Sequence, residues 1–192
     1  MTKGRLIAVV GPSGVGKDSV MEGLRTARPG LHLVRRVITR APGLGGEVYD
    51  PVTPDAFADM VGNGAFALHW QAHGLSYGIP VMVKYQLNKG TDCLANLSRS
   101  ALQEASRVFD HLVVLNITAR PDTLAQRLTA RGRETPDDIA RRLAQATRPL
   151  PPGLNVIDLP NDGPLPETIA RAMALLRPAE ASVQPSPLGS VT

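Results

Sequence analysis

The sequence predicts an α/β protein: a parallel sheet with helices on both faces. Two observations carry that expectation. Strand-like and helix-like stretches alternate along most of the 192 residues, the pattern of β–α–β units. The apolar run Leu6–Val10 also leads straight into Gly11-Pro12-Ser13-Gly14-Val15-Gly16-Lys17-Asp18-Ser19, a glycine-rich turn that opens a helix. In sheets of this kind ligands bind at the strand C-terminal ends.

Taken in order, Arg5–Val10 reads as the first strand and Lys17–Ala27 as the first helix. Leu31–Thr39 is rich in β-branched residues and reads as a second strand. Residues 41–52 are Gly/Pro-rich and irregular. Thr53 is placed to cap a helix with Pro54 at its first position and Phe57, Met60 and Val61 on one face; Gly62 and Gly64 end it. Ala65–Ile79 holds short extended pieces, and Pro80–Asn88 a helix closed by Gly90. Asp92–Leu97 reads as a strand, Ser100–Phe109 as a helix, and His111–Thr118 as the clearest buried strand. Pro121–Arg131 and a helix opening at Thr135-Pro136-Asp137-Asp138 follow, the acidic residues complementing the dipole. Leu154–Leu159 and Pro166–Leu176 are the last strand and helix. From Pro178 the chain is Pro/Ser/Ala-rich without periodicity, so a disordered tail is expected over 178–192.

The length suits one domain, assigned to 1–177. No apolar run approaches membrane-spanning length and no signal-peptide cleavage pattern opens the chain. The single Cys93 excludes an internal disulfide and suits a reducing cytoplasm, and four scattered His argue against a metal cluster. The net charge is +4, with 17 Arg against 4 Lys and seven Arg between Arg120 and Arg148. Aromatics make up only 4% and are not interleaved with basic stretches, so small phosphorylated ligands fit better than nucleic acid.

The glycine-rich turn has the make-up of a phosphate cradle. Gly11, Gly14 and Gly16 permit positive φ and close backbone approach, successive N–H groups form an anion nest at a helix N-terminus, and Lys17 adds a point charge. The alternative is an ordinary Gly-rich strand–helix turn. The Ser/Thr that usually follows the lysine and holds Mg²⁺ is Asp18 here, with Ser19 one place later.

Arg35, Arg36 and Arg40 with Thr39 suit bidentate phosphate recognition, or else form an exposed basic strand end. Arg127, Arg131, Arg133, Arg141 and Arg142 lie on a helix pair; like charges four apart repel unless a polyanion neutralises them, and a solvated basic face is the alternative. Tyr77, between Ser76 and Gly78, is a candidate ligand contact. His69 and His73 are assigned no catalytic role, because phosphoryl transfer onto a phosphate oxygen needs no general base.

The order of these motifs resembles the guanylate kinase family over roughly residues 4–177. It resembles more narrowly the ribose 1,5-bisphosphate phosphokinase family, through GPSGVGKDS with its Asp18, Ile38-Thr39-Arg40, Ala67-Leu68 through Trp70 to Gly74-Leu75, Tyr77-Gly78, Asn96 followed by Ser98-Arg99, Arg131-Gly132-Arg133-Glu134 and Asn161-Asp162-Gly163. Where guanylate kinases read the guanine base, the alignment puts Leu68, Ile79 and Ser98. The resemblance implies a P-loop kinase fold with a five-stranded parallel core, an acceptor-binding insertion near 35–80 and an Arg-rich lid near 120–145. It implies ATP-dependent conversion of ribose 1,5-bisphosphate to 5-phosphoribosyl 1-diphosphate, with Mg²⁺.

On that resemblance Lys17, Arg131 and Arg142 are catalytic, and residues Gly11 to Ser19, Arg127 and Asn161 bind the nucleotide. Arg36, Thr39, Arg40, Tyr77, Ser98 and Arg99 bind the acceptor. Asp18 carries the metal's protein charge with Asn96 assisting; alternatively Asp18 caps the helix and Ser19 is the metal hydroxyl. The partners implied are a phosphorylated sugar and ATP, with neither nucleic acid nor membrane. A kinase of another phosphorylated acceptor, such as a nucleoside monophosphate, is the competing enzyme reading. A non-catalytic guanylate-kinase-like peptide module is the competing class, disfavoured because the loop keeps its glycines and lysine.

Overall fold

Five strands form an all-parallel sheet in the computed structural model, which describes residues 2–42, 47–132, 135–146 and 149–177. Numbered in chain order, they lie in the spatial order His32–Leu33 (β2), Cys93–Asn96 (β7), Leu6–Val10 (β1), Leu112–Thr118 (β8) and Val156–Pro160 (β9). β1 is the middle strand and all five of its residues are fully buried. Its unbroken apolar run follows from being covered on both faces. Leu6, Ala8 and Val10 enter one core, with Val83 and Leu87 of α3 (Met82–Asn88) and Leu102 and Ala105 of α4 (Leu102–Val108). Ile7 and Val9 enter the other, with Val20, Met21 and Leu24 of α1 (Lys17–Ala27), Leu124 of α5 (Pro121–Arg131) and Ala172 of α7 (Leu165–Leu175).

The expected strand over 31–39 is two strands in different sheets. β2 pairs with β7, and Val34 N still bonds to Leu94 O at 2.9 Å. The chain then leaves, and Val37–Ile38 (β3) joins a second sheet with Asp50–Pro51 (β4), Phe66–Ala72 (β5) and Leu75–Pro80 (β6), in the order β4-β3-β6-β5. The apolar pattern is continuous across the break, but β2 pairs only with Cys93 and Leu94 before the chain turns away from β7 to join the second sheet.

The extended pieces expected within 65–79 are one hairpin, β5–β6. Its two-residue turn, His73-Gly74, has both φ angles positive (53° and 72°), which matches the strand twist. α2 (Pro54–Gly62) begins as its sequence signals require: Thr53 Oγ1 accepts from Ala56 N at 3.2 Å, with Pro54 in the first turn. α6 (Pro136–Ala146) follows α5. The expected disordered tail, 178–192, lies outside the described residues.

Candidate active site

The C-terminal ends of β1 and β7 open into a cleft of about 1020 Å³, walled on its far side by the second sheet. Its floor is the loop after β1. Gly16 precedes α1 with φ 91°, and Gly14 has φ 84°. A side chain on Gly14 would meet Leu128 at 3.0 Å, and one on Gly16 would meet Asn161 Nδ2 at 2.9 Å, so both positions demand glycine on conformation and on space. Lys17 Nζ donates to Gly11 O (2.9 Å) and Pro12 O (3.2 Å), which folds the ammonium back over the loop. A nest of N–H groups at a helix N-terminus beside an ammonium is a phosphate cradle.

The loop is fastened from beneath. Asn161 is 4% exposed; its Nδ2 donates to Val15 O at 2.8 Å and its Oδ1 accepts from Thr168 Oγ1 at 2.8 Å. Arg127 Nη1 donates to the same carbonyl at 3.4 Å. Val15, Asn161 and Arg127, expected to bind the nucleotide, are not among the residues lining this cleft; Asn161 and Arg127 both donate to the Val15 carbonyl. The backbone N–H of Arg120, donated to Asp162 Oδ1 at 2.8 Å, holds that neighbouring carboxyl below the usual range against the opposing effect of burial.

The wall formed by the second sheet is cationic over an aromatic base. Trp70 and Tyr77, paired across the hairpin, stack with centroids 5.3 Å apart and an 8° interplanar angle. The Arg36 guanidinium lies 5.0 Å from the Tyr77 centroid and 5.9 Å from that of Trp70. Arg40 stands over Tyr49 at 5.5 Å. Trp70 Nε1 donates to Ser98 Oγ at 2.9 Å, tying the hairpin to the loop after β7. Ser98 and Arg99 both line the cleft.

Thr39 is not among the lining residues. Its Oγ1 accepts from Ser76 N at 2.8 Å, tying the end of β3 to β6. Leu68 and Ile79, aligned with base-reading positions, are also elsewhere: they pair with one another two positions before Trp70–Tyr77 and lie in the core. The same sheet face passes from core to cleft between those two pairs.

Sequence reasoning missed Glu47. Arg36 Nε donates to Glu47 Oε1 at 2.7 Å, Arg36 Nη2 bonds to Oε2, and Asn96 Nδ2 donates to Oε2 at 3.1 Å. Nothing local marks it, because it lies in the irregular stretch and both partners are remote. Arg36, expected on an acceptor phosphate, is 5% exposed and has two of its nitrogens committed to this carboxylate.

Asp18, Ser19 and Asn96 line the same cleft, so both alternatives for the metal ligand remain in reach of a phosphate held by the loop. The oxygen donors of Asp18, Ser19 and Asn96 suit Mg²⁺, which commonly takes one or two carboxylates and keeps several waters. From the opposite rim α6 brings Arg141 and Arg142 to the cleft, and Arg142 Nη1 donates to Ser13 Oγ. Arg131 ends α5; its side chain lies outside the described residues.

No family model matches the chain. Among curated proteins, the ribose 1,5-bisphosphate phosphokinase PhnN of Ruegeria sp. (strain TM1040) is 50% identical over 180 residues, covering 93% of this chain and 95% of that protein. The protein of the same name from Agrobacterium fabrum is 44% identical over 183 residues, 94% and 100% of the two chains. Among solved structures, guanylate kinase from Anaplasma phagocytophilum superposes with a TM-score of 0.64 over 92% of this chain and 86% of its own, at 20% identity. That neighbour shows the fold to be that of the guanylate kinase-like P-loop kinases. With two relatives matched almost end to end at these identities, the chain belongs to the ribose 1,5-bisphosphate phosphokinase family.

Proposed function

We propose that the protein transfers the γ-phosphoryl group of ATP to ribose 1,5-bisphosphate, forming 5-phospho-α-D-ribose 1-diphosphate and ADP. A 1-phosphate oxygen of the acceptor forms the new bond to Pγ, and the bond from Pγ to the β,γ-bridging oxygen breaks. The attacking oxygen is already anionic at neutral pH, so no side chain need remove a proton. Catalysis then consists of positioning and charge stabilisation.

One observation carries this reading beyond family membership: the phosphate cradle faces an acceptor wall of guanidiniums and small polar groups, Arg36, Arg40, Ser98 and Arg99. Such a wall suits a sugar carrying two phosphates. In this reading Lys17 holds the β- and γ-phosphates, Arg142 and Arg131 engage the transferring group, and Arg40 and Arg99 hold the acceptor's phosphates with Tyr77 beneath. Val15, Asn161 and Arg127 keep the loop in shape. Asp18 with Asn96, or Ser19, holds Mg²⁺, which neutralises phosphate charge when bound. Residues 1–177 act as one domain, with 35–80 as acceptor region and 120–145 as lid. The reading extends to a cytoplasmic enzyme supplying phosphoribosyl diphosphate in phosphonate breakdown or another route.

The test is a coupled assay of ADP release with ATP, Mg²⁺ and either ribose 1,5-bisphosphate or GMP. Turnover with the sugar bisphosphate at a kcat/KM far above that for GMP is expected. Comparable values would restore the nucleoside monophosphate kinase reading.

A further inference from the structure

We propose that Glu47, supported by Asn96 and Ser98, reads a hydroxyl of the acceptor's sugar ring and so makes the enzyme selective for a ribo- over a deoxyribo-acceptor. The inference rests on the acceptor being ribose 1,5-bisphosphate and adds a specificity-determining residue to that site.

The starting point is a charge out of place. The described cleft lining presents Lys17, Arg36, Arg40, Arg99, Arg141 and Arg142, a surface suited to phosphates, yet Glu47 stands on the same wall. Its side chain is 16% exposed and the Arg36 side chain 6%. A carboxylate beside bound phosphates is repulsive unless it is neutralised and has a donor to meet. Arg36 neutralises it.

The geometry leaves acceptor capacity toward a ligand. Oε2 takes hydrogen bonds from Arg36 and Asn96, while Oε1 takes one, from Arg36 Nε at 2.7 Å. A carboxylate oxygen accepts about two hydrogen bonds, so Oε1 can take one more among the described contacts. Asn96 gives one of its two N–H groups to Glu47, and the second remains to donate to an acceptor oxygen. Ser98 Oγ already accepts from Trp70 and retains its own proton to donate. Phosphate oxygens cannot satisfy Glu47 Oε1, because they accept and do not donate. Sugar hydroxyls can, being donors as well as acceptors.

A divalent cation is the other chemistry that acceptor atoms invite. It is disfavoured at Glu47 because the Arg36 guanidinium is in direct contact with both carboxylate oxygens and would repel it. A neutral hydroxyl meets no such repulsion. Arg36 thereby becomes a positioning residue. Its stacking over Trp70 and Tyr77 fixes the plane of the guanidinium, and the bidentate pair fixes the carboxylate.

The test compares kcat/KM for ribose 1,5-bisphosphate with its 2-deoxy and 3-deoxy analogues in wild type and Glu47→Gln, with ATP and Mg²⁺ titrated in each. Wild type is expected to prefer the ribo-acceptor over at least one analogue by about 10- to 100-fold, the range for a hydrogen bond to a charged group. In Glu47→Gln that preference should collapse to about threefold or less, with activity on the same analogue largely retained and the Mg²⁺ titration unmoved. Glu47→Asp keeps the charge to pair with buried Arg36. It supplies the same ratio should the amide variant fail to fold, and its preference should also collapse, because the shorter side chain withdraws the oxygen. Equal loss on ribo- and deoxy-acceptors would overturn the inference and leave Glu47 a structural partner of Arg36. A shifted Mg²⁺ titration with the preference intact would overturn it in favour of a metal ligand. Absence of wild-type turnover on the sugar bisphosphate would overturn the acceptor assignment itself, and the inference with it.

Discussion

Asn161 donates its side-chain amide to the Val15 carbonyl at 2.8 Å, so the loop that holds the phosphates is shaped from a position 146 residues downstream. With Thr168 bonded to its other end, both ends of this buried amide have a partner. Asn161→Ala should cost roughly 1–3 kcal/mol, the range for orphaning a buried polar partner. Thermal unfolding should show the loss, and steady-state kinetics should show a raised KM for ATP with the acceptor KM unchanged. A variant as stable as wild type that has lost activity would mean Asn161 touches the nucleotide instead.

Lys17→Ala should leave the fold intact and lower kcat by about 10²–10³, because it removes the fixed cation of the loop from the developing charge. Circular dichroism and the coupled assay together check this. Activity within about threefold of wild type would remove the loop from the mechanism.

Arg40 and Arg142 both line the cleft, the one following β3 and the other on α6. Arg40→Ala should raise the acceptor KM far more than that of ATP. Arg142→Ala, which releases Ser13 and strips a guanidinium from the cleft, should act mainly on kcat. The reverse pattern would exchange the two phosphate sites.

Asp18 is exposed in the first turn of α1, on the cleft. If it carries the metal's protein charge, Asp18→Asn should raise the Mg²⁺ concentration for half-maximal activity by about tenfold or more. An unchanged titration would assign the metal to Ser19 and leave Asp18 as a helix-end charge.

At the opposite end of the sheet, Asp92 pairs with Arg5 at 2.6 Å and Arg28 at 3.1 Å. Burial pushes its carboxyl up, but the Arg5 side-chain and backbone hydrogen bonds and the two positive charges outweigh that and hold it below the ordinary 3.8. A lowered folded pKa contributes stability that is fully present above the unfolded value and lost as pH falls through the folded one. Asp92→Asn should therefore destabilise at neutral pH by about 1–3 kcal/mol. The gap to wild type should narrow as pH drops below about 4. A gap independent of pH would show that packing, not charge, is lost.

Cleft and fold were legible in the sequence wherever the signal is carried by near neighbours. The run Leu6–Val10, the glycines of the loop, and Thr53 with Pro54 at a helix start each act over a few residues, and their elements fall where the pattern puts them. What the tertiary structure alone decides are choices between partners far apart in the chain. Leu31–Thr39 carries one continuous pattern, yet it divides between two sheets, β2 pairing with β7 and β3 with β6. Asn161 and Arg127 meet at the Val15 carbonyl from 146 and 112 residues away, a convergence no local pattern marks. Glu47 lies in a stretch with no periodicity, and only folding brings it between Arg36 and Asn96, 11 and 49 residues away. Periodicity and capping reflect the geometry of one helix turn or one pleat, whereas the partner of a buried charge depends on which segments the core brings together.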